Sequence, residues 1–253
     1  VSVHPENVAA EVTGNQLTLS PVQDWNGSVN ISVTVSDGDL WDSENFELTV
    51  NPVNDAPTMY LPESFTFEED GSLVEDFSGY IGDIDEDALT LTVSGNENVT
   101  VSIDGFGVTF GAVQDWNGTE TLTFTVNDNQ GRAIASDDVD IIVTAVNDAP
   151  VLAVITDTST AEDTPLVLLL EATDVDEDVL SYSATSEQPN NVSVEVTGDT
   201  LTMTPAPDFN GDVQISVSVT DGEYTDNTVF MLTVMPVNDA PTIDLPASFT
   251  FEE

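Results

Sequence analysis

The sequence predicts an all-β chain that is built from tandem Greek-key β-sandwiches of about 92 residues, arranged end to end. Two motifs set the period. The string VNDAP recurs at 53–57, 146–150 and 237–241, in steps of 93 and 91 residues, and DWNG, DWNG and DFNG begin at 24, 115 and 208. Apolar residues alternate with Thr and Ser within each repeat, as at Leu122, Phe124 and Val126, and helical periodicity is absent. Alternation of this kind is typical of strands with one buried face.

About seven short strands fit into each repeat, which is the strand number of a β-sandwich. Turn pairs such as Asp104-Gly105 and Gly198-Asp199 separate the strand-like runs. We therefore divide the chain into the C-terminal part of a repeat at 1–55, complete repeats at 56–147 and 148–239, and the first strand of a further repeat at 240–253.

Both ends of the sequence fall inside a repeat, because Val1 aligns with Thr92 and Glu253 with Glu69. The N-terminal repeat thus lacks its first two strands. Either the sequence is a window from a longer periodic fibre, or the tail Thr242–Phe251 lends a strand to the head of another chain. The window is favoured, since the tail supplies one strand where two are needed.

The composition is strongly acidic, with 48 Asp and Glu residues, one basic residue (Arg132) and a formal net charge of -47. Internal salt bridges cannot compensate this charge, and the lack of positive charge argues against nucleic acid or an anionic membrane as a partner. The chain has no Cys, and its longest aliphatic run, Leu166–Leu170, is too short to span a membrane. Because His4 is the only histidine, a catalytic triad has no support.

The acids are concentrated in recurring loops, of which DIDEDALT at 83–90 and DVDEDVLS at 174–181 are the densest. If the first strand of a repeat descends and the strands alternate, these loops lie at the top of a repeat, beside the linker that precedes it. Glu69 and Asp115 then lie at the bottom, and the final strand leads into the next linker. Acids from consecutive repeats are therefore expected to meet where repeats join.

This arrangement predicts metal sites formed by three sets of oxygen ligands. The set at the middle linker consists of Glu69, Asp115, Asn147, Asp148, Asp174, Asp176 and Asp221. The sets at the other two linkers consist of Asp24, Asn54, Asp55, Asp83, Asp85 and Asp128, and of Glu162, Asp208, Asn238 and Asp239. Many carboxylates without Cys or His favour Ca²⁺, which accepts six to eight oxygens in flexible geometry.

The acidic loops allow two other interpretations. An EF-hand loop needs Gly at position six and Glu at position twelve, whereas these loops have Ala88 or Val179 and Ser94 or Thr185. That interpretation fails. The loops could instead be solvated turns of a protein adapted to salty water.

The aromatic residue of the Asp-aromatic-Asn-Gly motif (Trp25, Trp116 or Phe209) is predicted to plug the core beside a turn. The following Asn and Gly suit a turn with positive φ, which would place Asn26, Asn117 and Asn210 in that conformation. Paired carboxylates can hydrolyse glycosides, but every repeat has the same pairs, so an enzyme is not expected.

Four features together resemble the cadherin-like tandem repeats of large bacterial surface and secreted adhesins of the RTX type. They are the VNDAP linker, the Glu-Asp pairs at 69–70 and 162–163, the D-x-D-x-D loops and the D-[WF]-N-G turns. The resemblance implies a cadherin- or immunoglobulin-like sandwich, Ca²⁺ that stiffens each joint, and an extracellular stalk or matrix protein that is exported by type I secretion.

We therefore expect stalk or fibre repeats with Ca²⁺ as the cofactor. The expected partners are neighbouring repeats of the same chain and other chains in a fibre, with no nucleic acid and no membrane insertion. The alternative is a module whose repeats bind carbohydrate or protein and mediate adhesion directly.

Overall fold

The computed structural model describes residues 5–131, 134–245, 248, 250 and 251. The chain divides into two compact units, residues 1–145 and 146–253. His4 and Arg132 lie outside the described residues, as do 246, 247, 249, 252 and 253 of the predicted terminal strand. Apart from one 3-10 turn, the regular structure of the described residues is all β, so the predicted fold class is confirmed.

The first unit begins with two antiparallel hairpins. Their strands are β1 (Val8–Thr13), β2 (Gln16–Pro21), β3 (Gly27–Ser36) and β4 (Trp41–Val50). β1 pairs with β2 and β3 with β4. Val8, Val29 and Ile31 are buried between them, and Trp25 packs against this small core.

The rest of the first unit is a β-sandwich. Its strands are β5 (Thr58–Met59), β6 (Ser64–Glu68), β7 (Leu73–Asp76), β8 (Ile81–Gly82), β9 (Thr90–Ser94), β10 (Val99–Asp104), β11 (Gly107–Ala112), β12 (Gly118–Asn127) and β13 (Ile134–Thr144). One sheet has the order β6-β13-β12-β9, and the facing sheet has the order β10-β11-β7. The short strands β5 and β8 form a separate antiparallel pair, and a 3-10 helix, Phe77–Gly79, lies between β7 and β8.

Alternation along the strands forms the core of this sandwich. Leu122, Phe124 and Val126 of β12 are fully buried, while the Thr residues between them are less buried. Phe77 is also fully buried, and its ring centroid lies 4.9 Å from that of Phe124. Phe110 lies edge-on to the same Phe124 ring at 6.1 Å, so aromatic packing joins both sheets.

The second unit repeats this sandwich. Its strands are β14 (Val151–Leu152), β15 (Thr158–Ala161), β16 (Leu166–Leu169), β17 (Ala172–Thr173), β18 (Ser181–Ser186), β19 (Val192–Thr197), β20 (Thr200–Pro205), β21 (Gly211–Thr220) and β22 (Thr225–Met235). The sheets have the orders β15-β22-β21-β18 and β16-β20-β19, and β14 pairs with β17. Its core is mostly aliphatic, with Leu201, Met203 and Ile215 fully buried.

The first and last strands of each sandwich are parallel neighbours. β6 pairs with β13 from Ser64↔Asp140 to Glu68↔Thr144, and β15 pairs with β22 in the same way. Both strands therefore run toward the same pole, as the predicted strand order requires. No helix in the described part of the chain has the length and apolar character that crossing a membrane requires.

Candidate metal centres

The acidic loop of the first sandwich is folded by its own first carboxylate. Oδ1 of Asp83 accepts hydrogen bonds from the backbone N–H of Asp85 at 2.9 Å and of Asp87 at 3.3 Å. Glu86 between them has a φ of 59°. One carboxylate oxygen from each of the three Asp residues lies within 4.8 Å of the others, a spacing that could hold a metal ion.

The second sandwich repeats the geometry of this loop at the equivalent residues. Oδ1 of Asp174 accepts from the N–H of Asp176 at 3.0 Å and of Asp178 at 3.2 Å, and Glu177 has a φ of 59°. Oxygens of these three Asp residues again lie within 4.8 Å of one another. The loop geometry is therefore a property of the repeated sequence.

Each acidic loop holds the linker that precedes its sandwich. The N–H of Asp55 donates to Oδ2 of Asp85 at 2.7 Å in the first unit, and the N–H of Asp148 donates to Oδ2 of Asp176 at 2.7 Å in the second. The linker Asp and the D-x-D loop are thus brought together, as the predicted ligand sets require.

The linker Asn residues are held by the Asp that follows the penultimate strand. The Asn54 side-chain amide donates to Oδ2 of Asp128 at 2.7 Å, and its hydrogen bond, with that of the Gln130 N–H, holds the pKa of Asp128 below its ordinary value. In the second unit, the Asn147 amide donates to Oδ2 of Asp221 at 3.0 Å.

The pKa of Asp221 is set by two opposed effects. Burial raises this pKa, but hydrogen bonds from Asn147 and from the N–H groups of Glu223 and Tyr224 outweigh it, so the net shift is downward. Both oxygens of Asp128 and both of Asp221 accept hydrogen bonds, which suits residues that position the linker.

Acids from both sides of the first linker converge within the first unit. Asp24, which precedes the linker, lines a cavity of about 260 Å³ with Asp55 of the linker and Asp85 of the loop that follows. The pKa of Asp55 is raised, first by burial and then by the negative charges of Asp24, Asp85 and Asp83. Such mutual repulsion is what a bound cation would relieve.

The lower pole of the second sandwich gathers another group of acids. Asp163, Asp208 and Asp239 place carboxylate oxygens within 4.8 Å of one another. Buried Glu162 accepts a hydrogen bond from the N–H of Val237. The pKa of Asp239 is raised by burial and then by Asp208, Glu162 and Asp163. Asn238 lies beside this group and donates to the Asp239 carbonyl at 3.3 Å.

The first sandwich has the same lower pole. Glu69 is buried and accepts a hydrogen bond from the Asn117 side chain at 3.3 Å. Carboxylate oxygens of Asp70 and Asp115 lie within 4.8 Å of each other. The equivalent acids of the two sandwiches therefore take equivalent places.

The two acidic loops, at Asp83 and at Asp174, have one further feature that suits a hard cation. Oδ2 of Asp83 and Oδ2 of Asp174 are buried and accept no hydrogen bond from the described residues. A buried carboxylate oxygen without a partner is costly. Its recurrence at equivalent positions suits an oxygen that binds a cation, and an all-oxygen donor set is compatible with hard cations such as Ca²⁺ and Mg²⁺.

Four acids of these clusters are not among the predicted ligands. Asp87 and Asp178 are the third acids of the loops, and Asp70 and Asp163 follow the predicted Glu ligands. The D-x-D-x-D spacing was a sufficient signal for the first pair. Asp70 and Asp163 each have a φ of 60°, a turn conformation that Asp tolerates, and this turns the chain so that the second acid of the Glu-Asp pair joins the cluster.

The Asp-aromatic-Asn-Gly turn departs from one prediction. Positive φ occurs at its Asp, with values of 60°, 57° and 58° at Asp24, Asp115 and Asp208, and at its Gly, but not at its Asn. The prediction for Asn26, Asn117 and Asn210 was wrong because the turn reverses one residue before the aromatic side chain and again two residues after it. The Asn117 amide is used instead to hold Glu69.

The aromatic residue of this turn packs as predicted. Trp25, Trp116 and Phe209 are partly buried against the cores of their own repeats. A Cβ at Gly118 would lie 3.0 Å from Cζ2 of Trp116, so Gly is needed where the ring folds back over the chain.

Sequence comparison assigns the family. The profile described as "Bacterial Ig domain" matches residues 54–144 and 147–233, which is most of the chain. The chain belongs to this family. Its two matched bacterial Ig repeats are the two sandwiches described above, in tandem. No curated protein matches the sequence.

Solved structures similar to these bacterial Ig repeats include two cadherin fragments. Mouse protocadherin-24 EC1-3 aligns with 90% of the chain and 86% of its own length, at 17% identity and a TM-score of 0.49. Human protocadherin-24 EC1-2 aligns with 74% of the chain and 100% of its own length, at 17% identity and a TM-score of 0.48. An endo-fucoidan hydrolase of glycoside hydrolase family 107 aligns at 17% identity and a TM-score of 0.36, and the chain spans 37% of its length.

Proposed function

We propose that these bacterial Ig repeats form a Ca²⁺-stiffened stalk or fibre segment of an extracellular bacterial adhesin or matrix protein, with no catalytic role. The observation that carries the proposal is the convergence at the first linker of Asp24, Asp55 and Asp85, which come from before, within and after that linker. One cation bound there would contact both sides of a flexible joint.

In this proposal, some side chains position the linker and others bind the ion. Hydrogen bonds from the linker to the D-x-D loop and to Asp128 fix where the linker backbone lies. The partnerless Oδ2 of Asp83 would bind the ion. When bound, Ca²⁺ supplies the positive charge that offsets the carboxylate repulsion, and metal binding is thereby coupled to order in the joint.

The proposal for partners follows from the same sites. Neighbouring repeats of one chain are the primary partners, and side-by-side association into fibres would require neutralisation of a net charge of -47. The non-enzymatic role is proposed because the acidic groups recur in both sandwiches, whereas a catalytic centre would need an arrangement of its own.

The test combines Ca²⁺ binding with molecular dimensions. Isothermal titration calorimetry should detect Ca²⁺ binding to the whole chain. Mg²⁺ should bind more weakly because it requires a stricter octahedral geometry. Small-angle X-ray scattering should give a longer maximum dimension in Ca²⁺ than in EDTA.

A pair of variants distinguishes stiffening of the first linker by Ca²⁺ from Ca²⁺ binding at other places on the chain. Asp55→Asn removes charge from the first linker only, so its dimensions in Ca²⁺ should fall toward those in EDTA. Glu195→Gln, at an exposed strand position outside the acidic clusters, should behave as the wild type. Dimensions that are unchanged by EDTA, despite measured Ca²⁺ binding, would refute the mechanical role.

A further inference from the structure

The two sandwiches differ where the chain passes from one sheet to the next acidic loop. The first has six residues, 77–82, between β7 and Asp83, and the second has four, 170–173, between β16 and Asp174. The flanking strand pairs are in the same register in both sandwiches. The second sandwich therefore lacks two residues at this place, the equivalents of Ser78 and Gly79.

Backbone hydrogen bonds identify the equivalent positions. The Phe77 N–H donates to the Phe106 carbonyl at 2.9 Å, and the Leu170 N–H donates to the Asp199 carbonyl at 2.7 Å. Phe106 and Asp199 are thus equivalent. In the same way, Tyr60 N–H donates to the Tyr80 carbonyl, and Ala153 N–H donates to the Glu171 carbonyl, so Glu171 replaces Tyr80.

Aromatic side chains fill this region in the first sandwich. Phe77 is fully buried, and Tyr80 stands edge-on to it with ring centroids 6.0 Å apart. Phe106 is partly buried against the same core. The 3-10 turn and these three side chains therefore close the space between the sheets.

The second sandwich has an open cleft in the equivalent place. The cleft has a volume of about 1110 Å³. Its apolar lining residues include Val151, Leu170, Leu180 and Tyr182, and its polar lining residues include Glu171, Thr173, Ser181 and Asp199. Loss of two residues and replacement of two aromatic side chains by carboxylates account for the opening.

The lining is suited to a ligand that has both apolar surface and many hydroxyl groups. The carboxylates of Glu171 and Asp199 accept hydrogen bonds, and the hydroxyls of Thr173 and Ser181 both donate and accept them. Tyr182 offers a half-buried ring that is apolar on its face and polar at its tip. Ligand clefts commonly combine an apolar wall with a few convergent polar groups.

Charge narrows the choice of ligand. The lining contains two carboxylates and no basic side chain, in a chain of net charge -47, so an anion would be repelled. Glu171 and Asp199 are exposed to solvent, where salt screens their attraction for a cation. We propose that this cleft binds a short uncharged oligosaccharide, with a sugar ring against Tyr182 and sugar hydroxyls on Glu171 and Asp199.

This binding site is independent of the proposed metal sites. The lining residues include none of the predicted metal ligands, although Thr173 adjoins Asp174. The binding experiment is therefore done at saturating Ca²⁺ and repeated in EDTA, so that failure of sugar binding and failure of Ca²⁺ stiffening can be distinguished.

The test is a nuclear magnetic resonance titration of the whole chain with uncharged trisaccharides of glucose, galactose, mannose and xylose. At least one of them should give saturable shifts centred on the amides of Thr173, Ser181 and Tyr182. Asp199→Phe installs the side chain of the equivalent position in the first sandwich and should abolish the shifts. Asp199→Asn retains the shape of the cleft and should weaken binding by about tenfold, the value of one charge-assisted hydrogen bond.

Controls make the outcome decisive. Glu195→Phe adds the same ring to an exposed site outside the cleft and should leave the titration unchanged. Retained dispersion in the spectrum checks that each variant is folded. A protonated glucosamine trisaccharide is titrated in parallel as a cationic sugar. Three outcomes would overturn the proposal: no saturable shift with any of the four uncharged trisaccharides, equal binding by Asp199→Phe, or binding of the glucosamine trisaccharide alone.

Discussion

Substitution of Asp83 by Asn tests whether the acidic loop of the first sandwich is a cation site. Oδ1 of Asp83 accepts two backbone hydrogen bonds, which the Asn carbonyl oxygen can retain. Oδ2 is buried and accepts no hydrogen bond from the described residues, and Asn replaces it by a neutral N–H₂ group. The substitution therefore preserves the turn and removes the charge.

The expected result has opposite signs with and without Ca²⁺. In EDTA, loss of an unpaired buried carboxylate oxygen should stabilise the variant by about 1 kcal/mol, at the low end of the cost of such a group. This raises Tm by about 2–4 °C in a cooperative unit of the size of residues 1–145. At a Ca²⁺ concentration 100 times Kd, the wild type gains about 2.7 kcal/mol, or about 5–10 °C. Tenfold weaker binding would leave the variant about half of that increment.

Tryptophan fluorescence can follow this effect in one unit. Trp25, Trp41 and Trp116 all belong to the first unit, so thermal melts followed by their emission report residues 1–145. Asp174→Asn, the same change in the equivalent loop of the second unit, is the matched control and should leave the Trp-monitored Tm unchanged. A lower Tm for Asp83→Asn in EDTA, or a Ca²⁺ increment equal to that of the wild type, would contradict the reasoning.

Three further predictions concern the fold. Gly118→Ala should lower the free energy of unfolding by about 2–3 kcal/mol, because its φ of 149° is strained for Ala and its Cβ would lie 3.0 Å from Trp116. Gly211→Ala, where the nearest ring atom is 3.6 Å away, should cost about 1–2 kcal/mol in urea unfolding, and equal losses would exclude the indole clash. Hydrogen bonds from Ser78 lower the pKa of Asp76, so its carboxylate stabilises the fold at neutral pH and this contribution is lost as the pH falls through that lowered pKa. Asp76→Asn should therefore destabilise the protein at pH 6, and the difference should shrink in melts below pH 3.8; a constant difference would count against a stabilising role of the Asp76–Ser78 hydrogen bonds. Phe77→Ala should cost about 3–5 kcal/mol by denaturant titration, since the ring is fully buried among other rings, and a loss below 1 kcal/mol would show that the core collapses around the gap.

Much of the fold was predictable because its signals are local and repeated. Alternation at Leu122, Phe124 and Val126 predicts a half-buried strand, and the recurring linker gives the repeat length. The direction of the first and last strands followed from counting strands. The D-x-D loops and linker acids could be assigned to one pole by the same counting.

Features that depend on side-chain packing could not be predicted in this way. The turn at Asp24 takes its positive φ from the need to fold Trp25 back over Gly27. The sequence motif indicates a turn here but does not indicate which of its residues has positive φ. The cleft at Tyr182 arises from the loss of two residues, whose effect on volume depends on what packs opposite. Asp163 joins its cluster through one backbone conformation that a sequence pattern leaves open.

The parallel contact between β6 and β13 has a mechanical consequence for the first sandwich. The chain enters beside one end of this pair and leaves from the other end, so tension on the two termini pulls the strands past each other along their length. Their hydrogen bonds are then loaded in shear and must rupture together, whereas a hairpin pulled from its open end unzips one bond at a time. A repeat built in this way resists stretching, whichever ligand its surface holds.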